Sequence, residues 1–182
     1  MPSRGIARSA IAAAALTLLL AVAGCTASVT PRPTATETVP ADPALLSTFP
    51  DDFTGETARA ETVRIADAIV ALLPASIVLN VDNTDRLVPA TAASAPYYGV
   101  LRIISLEPSN NPVAIAKTMV QKLEASGWTT RQSTTDATGV LLVTLTSNRK
   151  PNISWFLQLS GDPRVAGQSV IHLQLASPDL PG

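Results

Sequence analysis

Apolar residues recur at two spacings along this chain, and the change from one to the other marks its elements. Ala58, Thr62, Ile65, Ala66, Ile69, Leu72 and Leu73 fall at helical intervals, with Glu56, Arg59, Glu61, Arg64 and Asp67 filling most of the opposite side. Thr54 stands where its hydroxyl can cap the first free amides, and Pro74 stops the pattern. A second stripe, Val113, Ile115, Ala116, Met119, Val120 and Leu123, carries stronger punctuation: Asn111 as N-cap, Pro112 at the first helical position and Gly127 at the end. Trp128 follows where a Schellman cap places its apolar partner, against Leu123.

The remaining pattern has period two. Ser76–Val81 and Arg86–Pro89 are expected as short strands joined by the turn-forming Asp82-Asn83-Thr84-Asp85, and Tyr97–Leu106 as a longer strand. After Trp128–Gln132, the runs Val140–Thr146, Ile153–Ser160 and Ser169–Ala176 predict a meander of antiparallel hairpins, with Arg149-Lys150 in a solvated turn. Leu141, Val143, Leu145, Ile153, Trp155, Leu157, Leu159, Ile171, Leu173 and Leu175 are expected under the helices. Val140, Leu142, Thr144, Phe156, Gln158, His172 and Gln174 are expected on the other face, with one of Tyr97 and Tyr98. The predicted fold class is α+β: a two-layer sandwich of an antiparallel sheet with two helices on one face.

Ahead of this domain, the apolar run Ile11–Ala23 is interrupted only by Thr17 and follows Arg4 and Arg8. Thirteen residues are too few to span a bilayer, which takes about 20, but they suit the apolar region of an export signal. The run closes on Val22-Ala23-Gly24-Cys25, which resembles the lipobox of bacterial lipoprotein precursors. The resemblance implies a signal peptide over 1–24, alkylation of the Cys25 sulfur by a diacylglyceryl group, and cleavage in front of that residue. The expected location is the cell membrane, lipid-anchored on the extracytoplasmic side. Cys25 is the single cysteine, so a thioether there leaves no thiol for a disulfide.

Residues 26–50 hold five prolines and six threonines, with no large apolar residue before Leu45. Together with Cys25 they are expected to form an extended linker (25–50), with the folded domain over 51–182. The Thr/Pro composition, similar to that of actinobacterial lipoproteins, also fits O-glycosylation.

Charge narrows the partners. The formal charge is −1, and loss of Arg4 and Arg8 leaves 11 basic against 14 acidic groups, or −3. Nucleic acid is not an expected partner, since phosphate binding needs a clustered basic surface. Nucleophile-elbow, zinc-protease and phosphate-loop patterns are absent from the sequence. One histidine and one cysteine leave no His/Cys metal site, and no cofactor is expected. The Asp82–Asp85 stretch lacks the glycine and downstream glutamate of a calcium loop.

What remains is the outward face, where Phe156, Gln158, His172 and Gln174 form the candidate binding set. Mixed apolar and hydrogen-bonding surface is typical of recognition. The expected role is a non-catalytic binding or accessory protein of the cell envelope, its partner an envelope protein or an amphipathic ligand. The alternatives are a small extracytoplasmic hydrolase using His172 as base and a structural subunit of an envelope complex.

The lipobox makes a direct prediction. Wild-type protein should enter the detergent phase with a diacylglyceryl mass on its new N-terminus, and Cys25→Ser should be released or left uncleaved. An unmodified N-terminus downstream of Cys25 would contradict it.

Overall fold

The computed structural model describes residues 40–92, 94–150, 153–163 and 169–181. The expected export signal, Cys25 and most of the expected linker lie outside them. Two helices, α1 (Gly55–Val70) and α2 (Pro112–Ala125), accompany six strands: β1 (Val78–Val88), β2 (Tyr97–Leu106), β3 (Trp128–Thr135), β4 (Leu141–Lys150), β5 (Ile153–Asp162) and β6 (Ser169–Ala176). All neighbours in the sheet are antiparallel, in the order β1-β2-β6-β5-β4-β3. The fold is α+β, with both helices on one face of the sheet.

The helix ends follow the sequence. Thr54 caps α1 through a reciprocal box with Thr57. The Asn111 carboxamide oxygen accepts the Val113 and Ala114 amides at the start of α2. At its end Gly127 takes φ 91°, the left-handed region, and its N–H donates to the Glu124 carbonyl. Gly161 serves a different purpose. A Cβ there would lie 2.5 Å from the Pro112 carbonyl oxygen, so only glycine lets the first turn of α2 approach the sheet this closely.

Inward positions of the central strands are buried as their alternation predicts: Leu141, Val143 and Leu145, then Trp155, Leu157 and Leu159, then Ile171, Leu173 and Leu175. Trp155 is the largest fully buried side chain, and its indole N–H donates to Thr62 Oγ1 at 3.1 Å. Phe49 and Phe53 stack on each other at 4.4 Å and both meet Trp155 edge-on at 5.9 Å.

Two expectations are corrected. Residues 78–88 form one strand, so Asp82-Asn83-Thr84-Asp85 is mid-strand and not a turn. As an edge strand, β1 leaves these side chains in water, where turn-type polar residues cost little. β4 likewise runs through Arg149 and Lys150 in place of a turn. The tyrosine pair divides as expected: Tyr97 faces outward, while Tyr98 faces the helices and is buried.

Packing also extends ahead of Asp51. A 3-10 turn at Pro43–Leu45 buries Leu45 completely. The Leu45 carbonyl accepts the Trp128 indole N–H at 2.9 Å, and Ser47 shares a hydrogen bond with Ser147 at 2.8 Å. Arg64 donates to the Ala44 and Leu46 carbonyls and pairs with Glu61, which also accepts the Thr48 amide. Burial pushes the Glu61 carboxyl up, but hydrogen bonds from Arg64 and Thr48 outweigh it and hold it below the usual carboxylate range. Its contribution is present above the ordinary glutamate pKa of about 4.3 and lost as pH falls through the lowered folded value.

Residues 40–50 therefore act as a strap on the domain. A chain beginning at Asp51 should melt well below one beginning at Pro40. Leu45→Ala alone should cost about 2–5 kcal/mol in denaturant unfolding. Equal stability in both comparisons would show that the strap contributes nothing.

Candidate functional site

Three adjacent rows of side chains on the face away from the helices, fixed by register, bear on the site. The first runs Thr146, Phe156, Ala176, Gly99, Arg86 from β4 to β1. The second runs Thr144, Gln158, Gln174, Leu101, Thr84, and the third Leu142, Ser160, His172, Ile103, Asp82. Phe156, Gln158, His172 and Gln174 are thus all on this face, as expected, on the adjacent strands β5 and β6.

Side-chain size along the rows makes the relief. Ala176 and Gly99 are small and stand between Phe156 and Arg86, so the first row dips in its middle. The result is a groove of about 400 Å³ walled by Phe156, Tyr97, Arg86 and Val88 and bordered by Leu101, Gln174 and Thr84. A second hollow of about 630 Å³ continues past Phe156 toward Phe49, Ile153 and Pro178, sharing Tyr97 and Ala176. Phe156 is 45% exposed although it sits on an inner strand of the sheet. An inner-strand aromatic left this open keeps apolar surface in contact with water.

Of the four candidates, the groove includes Phe156 and Gln174. Gln158 is directly across from Gln174, just outside, and His172 lies a row further on. Tyr97, one of the pair expected to split between the faces, also lines the groove, and Arg86, Thr84, Gly99 and Leu101, which the pattern does not assign to it, complete the site. Thr84 falls in the expected turn and Arg86 in the short strand expected after it, so the pattern sets neither beside β2. The others needed the β2–β6 pairing, which joins strands far apart in sequence.

His172 stands across from Ser160 on β5 and from Ile103 on β2. The acid in its row, Asp82, is two strands away, roughly 10 Å at the usual strand spacing. Among the described residues no group of three or more His, Cys, Asp or Glu side chains is placed to hold a metal ion.

The helix side of the β1–β2 edge is strongly polar. Tyr98 Oη donates to Asp85 Oδ2 at 2.5 Å and accepts from Arg59 Nε at 3.0 Å. Burial raises the Tyr98 phenol pKa, and the Asp85 carboxylate raises it further. In return the phenol hydrogen bond holds Asp85 below its ordinary range. Arg102, 4% exposed, bonds Asp67 Oδ1 at 3.2 Å, while its Nε has no partner among the described residues. This cluster clamps α1 to the sheet edge that supports the groove. No protein-family model, characterised protein or solved structure is significantly similar to this chain.

Gly99 is the natural position for blocking the groove. A Cβ there would make ordinary contacts, 3.5 Å to Val88 Cγ2 and 3.6 Å to Tyr97 Cε2. Gly99→Ala should therefore melt within about 1 kcal/mol of wild type. A larger loss would mean that the backbone itself requires glycine at this position.

Proposed function

We propose that the chain is a lipid-anchored, extracytoplasmic protein of the cell envelope that works by binding, taking an amphipathic ligand into the groove on its bare sheet face. The reading rests above all on Phe156, exposed beside the gap left by Gly99 and Ala176. An apolar ligand body would cover Phe156, Tyr97 and Leu101, while its polar end would meet Gln174, Thr84 and Arg86. The anchor follows from the lipobox-like residues ending in Cys25, and the Thr/Pro-rich residues after it supply reach from the membrane.

Titration of the purified chain with a fluorescent acyl-chain probe tests the ligand. Wild type should bind, Phe156→Ala should weaken binding about tenfold or more, and Gln174→Ala or Arg86→Ala by a smaller factor. Leu142→Ala, in another row, should bind normally. Equal affinity in all of these variants, or no uptake by wild type, would reject the groove as the site.

A second reading, a small hydrolase, is favoured by one observation: Ser160 lies directly across from His172. Turnover of an acetyl ester that disappears in both Ser160→Ala and His172→Ala, with probe binding retained, would establish it over the first.

A further inference from the structure

The two edges of the sheet are built differently. At β3 the register slips between Thr130 and Gln132, and Arg131 folds back to donate to Thr146 Oγ1 at 2.8 Å, so that edge is interrupted at its middle. At β1 the only irregularity lies at one end, between Val78 and Asn80. From Asn80 to Val88 the strand is regular over nine residues and pairs only with β2 among the described residues. Its outer backbone amides and carbonyls form an uninterrupted row. Leu87, within this stretch, is 55% exposed.

The regular stretch is centred on Thr84, and its residues are complementary about that centre. A two-fold axis perpendicular to the sheet there would set two β1 strands antiparallel, with each residue opposite a same-face residue of its twin. Asp82 then meets Arg86 twice, Asn83 meets Asp85, Val81 meets Leu87, and Asn80 meets Val88. Opposite charges, an amide with a carboxylate, and two apolar side chains are all favourable cross-strand pairs. Other positions of the axis lose this. An axis at Asp82 or at Asp85 sets a carboxylate against its own copy, and one at Asn83 sets Val81 against Asp85.

We propose that the β1 edge is a self-association surface, pairing with β1 of a second copy of this chain about an axis at Thr84. The two sheets then continue into one of twelve strands, and the exposed Leu87 side chains are covered by Val81 of the other copy. Because Thr84 and Arg86 also border the groove, the two grooves come to lie side by side on a common face. The guanidinium carries five N–H donors, so Arg86 can face Asp82 of the second copy and still serve a groove ligand.

Cysteine crosslinking and sedimentation test this without any ligand, so the outcome is independent of the groove reading. In the full chain with Cys25→Ser, Thr84→Cys should form a disulfide-linked dimer under mild oxidation. Residues directly opposite in an antiparallel pair have Cα atoms about 4.5–5.5 Å apart, within disulfide range. Arg86→Cys should not crosslink, since its twin would be four residues along the strand, roughly 13 Å away. In sedimentation, Asp82→Arg should weaken dimerisation at least tenfold, and Asp82→Arg combined with Arg86→Asp should restore it. A chain that stays monomeric at every concentration, crosslinks equally at both positions, or is not rescued by the charge exchange would overturn the proposal.

Discussion

Among the described residues, helices cover one side of the sheet only, and this is the constraint from which the rest of this structure follows. A six-stranded antiparallel sheet with two helices has enough apolar cover for one face, and both helices are spent on the same one. Inward positions of β2, β4, β5 and β6 are then mostly large and apolar, with exceptions such as Arg102 and Gly161, and most of the residues between them are released from that demand. The helices approach closely enough to seal the face only because of local concessions such as Gly161 beneath the first turn of α2. Trp155 fills the volume at the centre, and its single polar atom is satisfied by Thr62 from α1. The uncovered face is therefore free to carry chemistry unrelated to stability, and its relief comes from a simple contrast of side-chain size.

The strap formed by residues 40–50 shows how far composition and packing can diverge. Threonine and proline dominate the segment leading into it, yet Leu45 and Phe49, with Phe53 beyond, are spaced so that each finds an apolar site. Their backbone is then held by Arg64, Trp128 and Glu61, all from the domain. Hydrogen bonding to backbone carbonyls by an arginine already neutralised by Glu61 gives a fixed attachment without regular secondary structure.

Elements with local signals were legible in the sequence. The second helix is bounded by Asn111, Pro112 and Gly127, and β2 and β6 by clear changes of period, so each is found where the pattern places it. The inward and outward assignment of β4, β5 and β6 was legible for the same reason, because one covered face imposes strict alternation. β1 was not. An edge strand with water on much of both faces has no such constraint, and Asp-Asn-Thr-Asp is compatible with a strand there and with a turn elsewhere. The β1 wall of the candidate site, Thr84, Arg86 and Val88, was hidden with it. Phe156 and Gln174 could be placed on a common face from alternation alone, but their neighbours Gly99 and Leu101 come from β2. Nothing local records that β2 lies against β6.

That pairing also has a consequence in time. β6 is the last of the described strands, and β2 precedes α2 and three other strands. The tail beyond β6 returns to the same place, with the Ser177 amide on the Tyr98 carbonyl and the Leu180 amide on the Pro96 carbonyl. A chain emerging from its N-terminus thus presents α1 and the β1–β2 hairpin early, but with β2 still an open edge and its apolar side only partly covered. Closure must wait until residue 176 is available, so β2 gains its second neighbour only after every other strand of the sheet has been made. A chain that stops short of β6 would leave β2 and β5 each with an unpaired side, the kind of open edge that recruits other strands.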